Sequence, residues 1–316
     1  MADDGVIIDR PLLLRRRARF APVAEAHDFL ARRTAEDMAT RLDAVIRDFP
    51  LAVDLGAQHG LLAGMLHSQR VGRTICAEAS LPLLGRCPRP KLACHEELLP
   101  FAPRSLDLVV SCLSLHLLND LPGALIQIRR ALKPDGLLLA AAFGGRTLQE
   151  LRESFTAAQA ELDGGVSPHV LPFADVRDYG ALLQRAGFAL PVTDSDVVSV
   201  TYPTPLELMA EVRAMGGGNV LRDRSRKPLR RATLLRTVEI YRQRFGTDGG
   251  RVAATFEIVH LMGWAPHEGQ QKPLRPGSAR TRLADALGVR ERSAGVKADP
   301  GERPGKANAA DPRRSS

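Results

Sequence analysis

Cysteine is scarce: the 316 residues carry four, Cys76, Cys87, Cys94 and Cys112. None forms a CxxC pair, which excludes the common zinc and dithiol spacings. Cys76 and Cys112 lie in apolar runs and read as buried free thiols, an expectation that favours a reducing cytoplasm. Aromatic residues make up only 4% of the chain, and none is interleaved with the basic charge of the C-terminal stretch. A stacking surface for single-stranded nucleic acid is therefore missing, and nucleic acid is not expected as a partner. No apolar run reaches the ~18 residues of a membrane span. An apolar signal core is also lacking at the N-terminus, where Arg15-Arg16-Arg17 after Leu12-Leu13-Leu14 reads as a basic amphipathic helix.

What is present is the composition of a soluble globular protein, 44% hydrophobic and 25% charged. A core of this size needs no disulfide staples. The net charge is +8, and residues 280–316 hold nine basic and five acidic side chains. That stretch, rich in Arg, Ala, Gly, Pro and Ser, reads as a disordered basic tail. Residues 1–48 read as an N-terminal helical segment and 49–279 as one domain with a helical cap at about 204–246. Arg222, Arg224, Arg226, Lys227, Arg230 and Arg231 read as a solvated helix face, the alternative being a docking surface for an acidic partner or an anionic membrane.

The domain is organised around FPLAVDLGAQHG, Phe49 to Gly60. An apolar run ends in Asp54-Leu55-Gly56, and Gly60 opens a helical segment, so a buried strand runs through a tight turn into a helix over 61–69. Such a turn brings backbone N–H groups and a helix N-terminus to a ligand. Gln58 stands where the middle glycine of such loops is usual, which narrows the loop. A second strand over 74–77 ends at Glu78, with Ser80 placed to cap the next helix. Glu78 lies 24 residues after Asp54, near the ~20-residue offset of a carboxylate that holds ribose hydroxyls. A third strand covers 91–94 and leads into His95-Glu96-Glu97-Leu98.

A fourth strand, Leu106 to Cys112, is almost continuously apolar and reads as central. Ser111 lies near its end. After it come His116, Asn119 and Asp120, in a loop that should face the ligand crevice. His116 fits a general base or a metal ligand, or a packed pocket wall. Asn119 and Asp120 fit the chemistry equally, or cap the next helix, with Pro122 in its first turn. Lys133-Pro134-Asp135-Gly136 turns the chain into a fifth strand over 137–143. Helices at 148–162, 175–186, 205–215 and 229–245, with strand-like runs at 192–202 and 255–262, complete the pattern. Alternating strands and helices imply an α/β, doubly wound, mostly parallel sheet with a C-terminal antiparallel pair and a helical cap insertion. His169 and His267 read as surface or packing histidines, and no compact HxD…H spacing assigns a metal.

Glycine turn, acid after strand two, acidic pair after strand three and polar loop after strand four together resemble class I S-adenosylmethionine-dependent methyltransferases, with a Rossmann-like sheet. That resemblance implies S-adenosyl-L-methionine as cofactor, with Asp54, Gly56 and Gly60 at its methionine end, Glu78 on the ribose, and Glu96, Glu97 and Leu98 around the adenine. Ser111 joins this cofactor-binding set, and His116, Asn119 and Asp120 form the candidate catalytic group. More specific are Leu113-Ser114-Leu115-His116…Asn119-Asp120-Leu121-Pro122, Phe143-Gly144-Gly145…Thr147-Leu148…Glu150-Leu151-Arg152, Gly164-Gly165…Ser167-Pro168-His169 and Gly263-Trp264…Pro266-His267. These resemble the family of mitochondrial complex I assembly factor 5, protein arginine hydroxylases with a methyltransferase fold, and its alphaproteobacterial members. The resemblance spans about residues 9–280. It implies a protein substrate, the iron–sulfur subunit of complex I, and a cytoplasmic location, with peripheral contact at the inner membrane left open. Leu117 stands where the family usually has an aromatic residue, and Arg146 where an acid is common. Two other readings stand beside it: a malonyl carrier-protein O-methyltransferase, which shares the generic half, and a non-catalytic assembly chaperone with a decayed cofactor loop.

Overall fold

A computed structural model describes residues 5–66 and 70–271. The disordered tail expected over 280–316 lies outside the described residues. At the centre is a sheet in the order β3-β2-β1-β4-β5-β7-β6. Its strands are β1 (Phe49–Leu55), β2 (Val71–Glu78), β3 (Lys91–Ala93), β4 (Leu106–Cys112), β5 (Leu132–Phe143), β6 (Ala189–Tyr202) and β7 (Val252–Trp264). β1 to β5 pair in parallel, while β7 runs antiparallel between β5 and β6. The strand order reverses between β1 and β4, so the C-terminal ends of these two strands border the crevice where ligands bind in open α/β sheets.

All seven residues of β4 are buried, as the apolar run requires. Alternation divides them: Leu108 and Val110 pack with Ala52 and Leu137 on one face, Val109 with Val53 and Leu138 on the other. Each such side chain contributes about 1.5–3 kcal/mol by leaving water. Helices α1 (Arg10–Phe20) and α2 (Phe29–Asp43) precede the sheet, with a 3-10 turn between them. On α2, Leu30, Met38 and Leu42 are buried and Phe29 is exposed, while Ile46, beyond the helix, is also exposed. The remaining helices are α3 (Leu61–Met65), α4 (Leu81–Arg86), α5 (Leu121–Ala131), α6 (Gln149–Leu162), α7 (Val176–Ala186), α8 (Pro205–Ala214) and α9 (Arg231–Phe245).

Three local expectations need correction. The Lys133–Gly136 turn is a bulge within β5, which pairs with β4 at Leu132 and again from Leu137. Ser80 occupies the N-cap position of α4 but its hydroxyl makes no capping bond and has no partner. The basic residues 222–230 form a loop, and only Arg231 lies on a helix. Arg224 in that loop pairs with Asp9 at 3.0 Å, so part of the cluster anchors the N-terminus instead of facing solvent.

Candidate functional site

The glycine turn and the carboxylates converge at the strand ends. Gly56 follows β1 at φ +68°, and a Cβ there would lie 2.0 Å from the Ser114 hydroxyl oxygen, so no side chain fits. Gly60 caps α3, also left-handed. Gln58 adopts φ +53°, a conformation that costs a non-glycine residue roughly 1–2 kcal/mol. Two bonds hold it there: its N–H donates to Glu78 Oε2 at 3.0 Å, and its side-chain amide donates to the Cys112 carbonyl at 3.3 Å. Glu78 is fully buried and also accepts from the Ser80 N–H at 2.8 Å. Glu96 is fully buried beside it.

Between these carboxylates lies a residue that the sequence reading missed. Arg17, on α1, donates to Glu78 Oε1 at 3.1 Å, to Glu96 Oε1 at 2.7 Å and to the Ser114 hydroxyl at 3.2 Å. Arg10 reaches Glu96 Oε2 at 2.6 Å and His95 at 3.2 Å. Burial opposes the Arg17 charge, but the two carboxylates outweigh it and hold the guanidinium firmly protonated. Burial by itself would raise the Glu96 pKa; Arg17 and Arg10 overcome it and bring the group down to about 2.

The N-terminal strap that carries Arg17 is pinned by Asn119, which the sequence offers as a catalytic or capping residue. Asn119 Oδ1 accepts from the Ile7 and Ile8 N–H groups at 2.9 and 2.7 Å, and its Nδ2 donates to the Ile8 carbonyl at 3.2 Å. The strap also bridges to Leu221, with Asp9 N–H donating to the Val220 carbonyl. Asn119 therefore clamps backbone, and its amide is spent on that. Asp120 is exposed and caps α5 by accepting from the Gly123 N–H at 2.8 Å. Glu97 accepts from the Asn119 and Asp120 N–H groups, bracing that loop instead of joining Glu96. Leu98 is 72% exposed and makes no wall for a buried base. Of the expected set, the fold gathers Gly56, Glu78 and Glu96, and turns Glu97, Leu98, Asn119 and Asp120 to other work.

His116 lines a cavity of about 120 Å³ with Phe143, Phe173, Leu117, Arg17 and Gln58. The His116, Phe143 and Phe173 rings form a cluster with centroids 4.9, 5.5 and 5.8 Å apart. Enclosure lowers the His116 pKa to about 3, with the Arg17 charge acting in the same direction. Its Nδ1 accepts from the Phe143 N–H at 3.4 Å. The neutral ring then carries its proton on Nε2 and offers a donor, not a base. Among the described residues no group of three His, Cys, Asp or Glu side chains is placed to hold a metal ion.

Asp54 is buried at the end of β1. Its Oδ2 accepts from the Ala63 N–H at 3.1 Å, while Oδ1 has no partner. Burial raises its pKa to about 7; the Ala63 bond opposes this and Glu78 adds to it. A carboxyl with a raised folded pKa contributes stability that is full below its unfolded pKa and is lost as pH rises through about 7. Asp54→Asn removes that loss. The expected result is that the variant's urea midpoint gains on the wild type between about pH 4 and about pH 7 and holds its lead above that. A constant difference across that window would show that Asp54 does not titrate there.

The residues present suit a nucleoside-bearing cofactor. Two buried carboxylates meet at the strand ends, the turn is left-handed at Gly56 and Gly60, and the Asp54 Oδ1, Ser80 and Ser111 oxygens are buried without partners. The strand order and this crevice define a class I, S-adenosylmethionine-dependent methyltransferase fold. The family described as "Methyltransferase domain" matches residues 53–140. The YcgJ protein of Bacillus subtilis shares the fold, with TM-score 0.52 and 15% identity over 74% of this chain and 99% of that one. Among curated proteins, the mitochondrial arginine-hydroxylase NDUFAF5 of Rattus norvegicus is 40% identical over 286 residues, 88% of this chain and 83% of its own length. A malonyl-[acyl-carrier protein] O-methyltransferase of Laribacter hongkongensis is 35% identical over 83% of this chain and 92% of its own. The chain belongs to the family of the arginine-hydroxylase NDUFAF5.

Proposed function

We propose that this chain binds S-adenosylmethionine and modifies an arginine side chain of a protein, by hydroxylation, during assembly of respiratory complex I. The observation that carries the reading is the ring cluster of His116, Phe143 and Phe173 lining a cavity that adjoins the carboxylate cradle. A guanidinium is flat, cationic and weakly hydrated, and it stacks on aromatic faces. A neutral His116 adds no charge that would repel the substrate, and the Arg17 charge beside it is offset by Glu78 and Glu96. Leu117, in place of the family's usual aromatic, also lines the cavity and widens its aliphatic side.

In this reading Glu78 holds the ribose hydroxyls and Glu96 the polar edge of the adenine. Asp54, Gly56 and Gly60 frame the methionine end, with Ser111 beneath them. When bound, the cofactor supplies an electrophilic methyl group. Hydroxylation draws instead on an oxidant: dioxygen places one oxygen atom in a C–H bond, and the other leaves as water with two electrons and two protons from an external reductant. The chain's own part is to orient the guanidinium against the rings and keep water out of the cavity. The substrate is the iron–sulfur subunit of complex I, met at the cytoplasmic face of the inner membrane. No helix among the described residues is long and apolar enough to cross a membrane.

Mass spectrometry of that subunit from a deletion strain tests the reading. An arginine peptide lighter by one oxygen atom supports it. A peptide lighter by one methylene group would establish methylation instead. No change would remove the substrate from the reading and favour the carrier-protein reaction, for which the 35% identical malonyl-[acyl-carrier protein] O-methyltransferase speaks.

A further inference from the structure

Beside the inner cavity runs a concave groove of about 900 Å³ between α1, α6, α8 and α9. Phe20, Val212 and Gly216 to Gly218 line both spaces, so the groove ends where the cavity begins. Its walls include Leu206, Met209, Leu229 and Leu234, with Leu206 and Leu229 46% and 40% exposed. Its charge is of one sign. Arg16, Arg19 and Arg213 line it, and no acidic side chain does.

These arginines are crowded and have no anion of their own. No ion pair joins Arg16, Arg19 or Arg213 to a described acid. Arg16 is half-buried, and its guanidinium lies so close over Gly218 that a Cβ there would sit 2.2 Å from Nη1. Burial depresses its pKa, and the charges of Arg224, Arg213 and Arg19 add to that. The nearby acids are committed elsewhere: Asp9 caps α1 and pairs with Arg224, and Glu211 of α8 pairs with His27 at 3.0 Å. Like charges held together in a partly apolar groove are relieved by an anionic partner.

We infer that this groove docks an acidic, apolar segment of the protein substrate, flanking the residue that enters the inner cavity. The inference rests on the protein-substrate reading above and deepens it. A side chain presented to the cavity passes the shared wall of Phe20 and Gly216 to Gly218, so the adjoining substrate backbone lies along the groove. Carboxylates there meet Arg16, Arg19 and Arg213, while apolar side chains meet the leucines of α8 and α9. A bilayer surface is a poorer fit, because the basic and apolar groups line a concave space instead of a flat face.

The test uses fluorescein-labelled overlapping peptides that tile the complex I iron–sulfur subunit, with binding read by anisotropy on the full chain. Arg19 and Arg213 are exposed, so Arg19→Glu/Arg213→Glu should fold, which circular dichroism checks. The peptide with Asp or Glu near the modified arginine is expected to bind. The double variant should weaken it about tenfold or more, and changing those acids to lysine in the peptide should restore binding to the variant. Binding unmoved by the charge reversal overturns the inference, and so does failure of every peptide to bind. Phosphatidylglycerol vesicles that bind while no peptide does would assign the groove to a membrane surface, also overturning it. Loss of the oxygen mark in the deletion strain, with a KM unchanged in the double variant, would keep the proposed function and reject only the groove.

Discussion

Glu78→Ala is expected to abolish S-adenosylmethionine binding, raising Kd about 100-fold or more in calorimetry, from two lost charge-assisted hydrogen bonds of about 1.5–3 kcal/mol each. Glu78 ends β2 fully buried at the crevice. A carboxylate is the group that accepts from both vicinal hydroxyls of a ribose at once. The truncation has a second effect, since Glu78 also accepts from the Gln58 and Ser80 N–H groups and from Arg17. Those donors become buried and unpaired, so part of any loss could reflect a loosened loop. Glu78→Gln separates the two. It keeps the shape and one acceptor oxygen, so it should retain the circular dichroism spectrum and still lose about tenfold in affinity. Tight binding in the glutamine variant would place the ribose elsewhere.

The sheet was legible because its signals are local. A seven-residue apolar run gives a strand buried on both faces, and the spacing from Asp54 to Glu78 follows from the length of one βαβ unit. The glycine turn was legible for the same reason, and Gln58 could be flagged because a left-handed position disfavours a side chain. From the sequence His116 reads as a base, a metal ligand or a packed pocket wall, since the loop after a central strand faces the crevice, and it lines the cavity. Asn119 and Asp120 were ambiguous from the start: the residue types that cap helices also perform chemistry, and only their partners distinguish the roles. Arg17 was not legible at all. It lies in RPLLLRRRARF, which reads as a basic amphipathic helix, while its partners Glu78 and Glu96 are 61 and 79 residues away. No periodicity or motif encodes a pairing at that distance. The same holds for Arg16 and Arg213, which meet only where α1 and α8 line one groove.

Arg17→Ala should change the protein in two opposite directions. Without cofactor, Glu78 loses its guanidinium, and Glu96 keeps only Arg10. Breaking one partner out of a buried ion cluster typically costs about 3–5 kcal/mol, so the melting temperature should fall clearly. The substitution also removes a competitor. In the closed strap Arg17 holds Glu78 Oε1 and Glu96 Oε1, oxygens of the two carboxylates proposed to hold the ribose and the adenine. A ligand that needs those oxygens must displace two charge-assisted bonds, and the cofactor's own positive charge makes a neighbouring arginine unfavourable. In the alanine variant neither cost remains. S-adenosylmethionine is therefore expected to bind about tenfold tighter or more, and to raise the variant's melting temperature further than it raises the wild type's. Hydrogen exchange provides the parallel check in the wild type, where saturating S-adenosylhomocysteine should speed exchange over residues 7–20 as Arg17 lets go. Weaker binding by the alanine variant, with exchange in the strap slowed by ligand, would mean the reverse: Arg17 stays in the loaded site as a contact, and α1 closes on the cofactor instead of yielding to it.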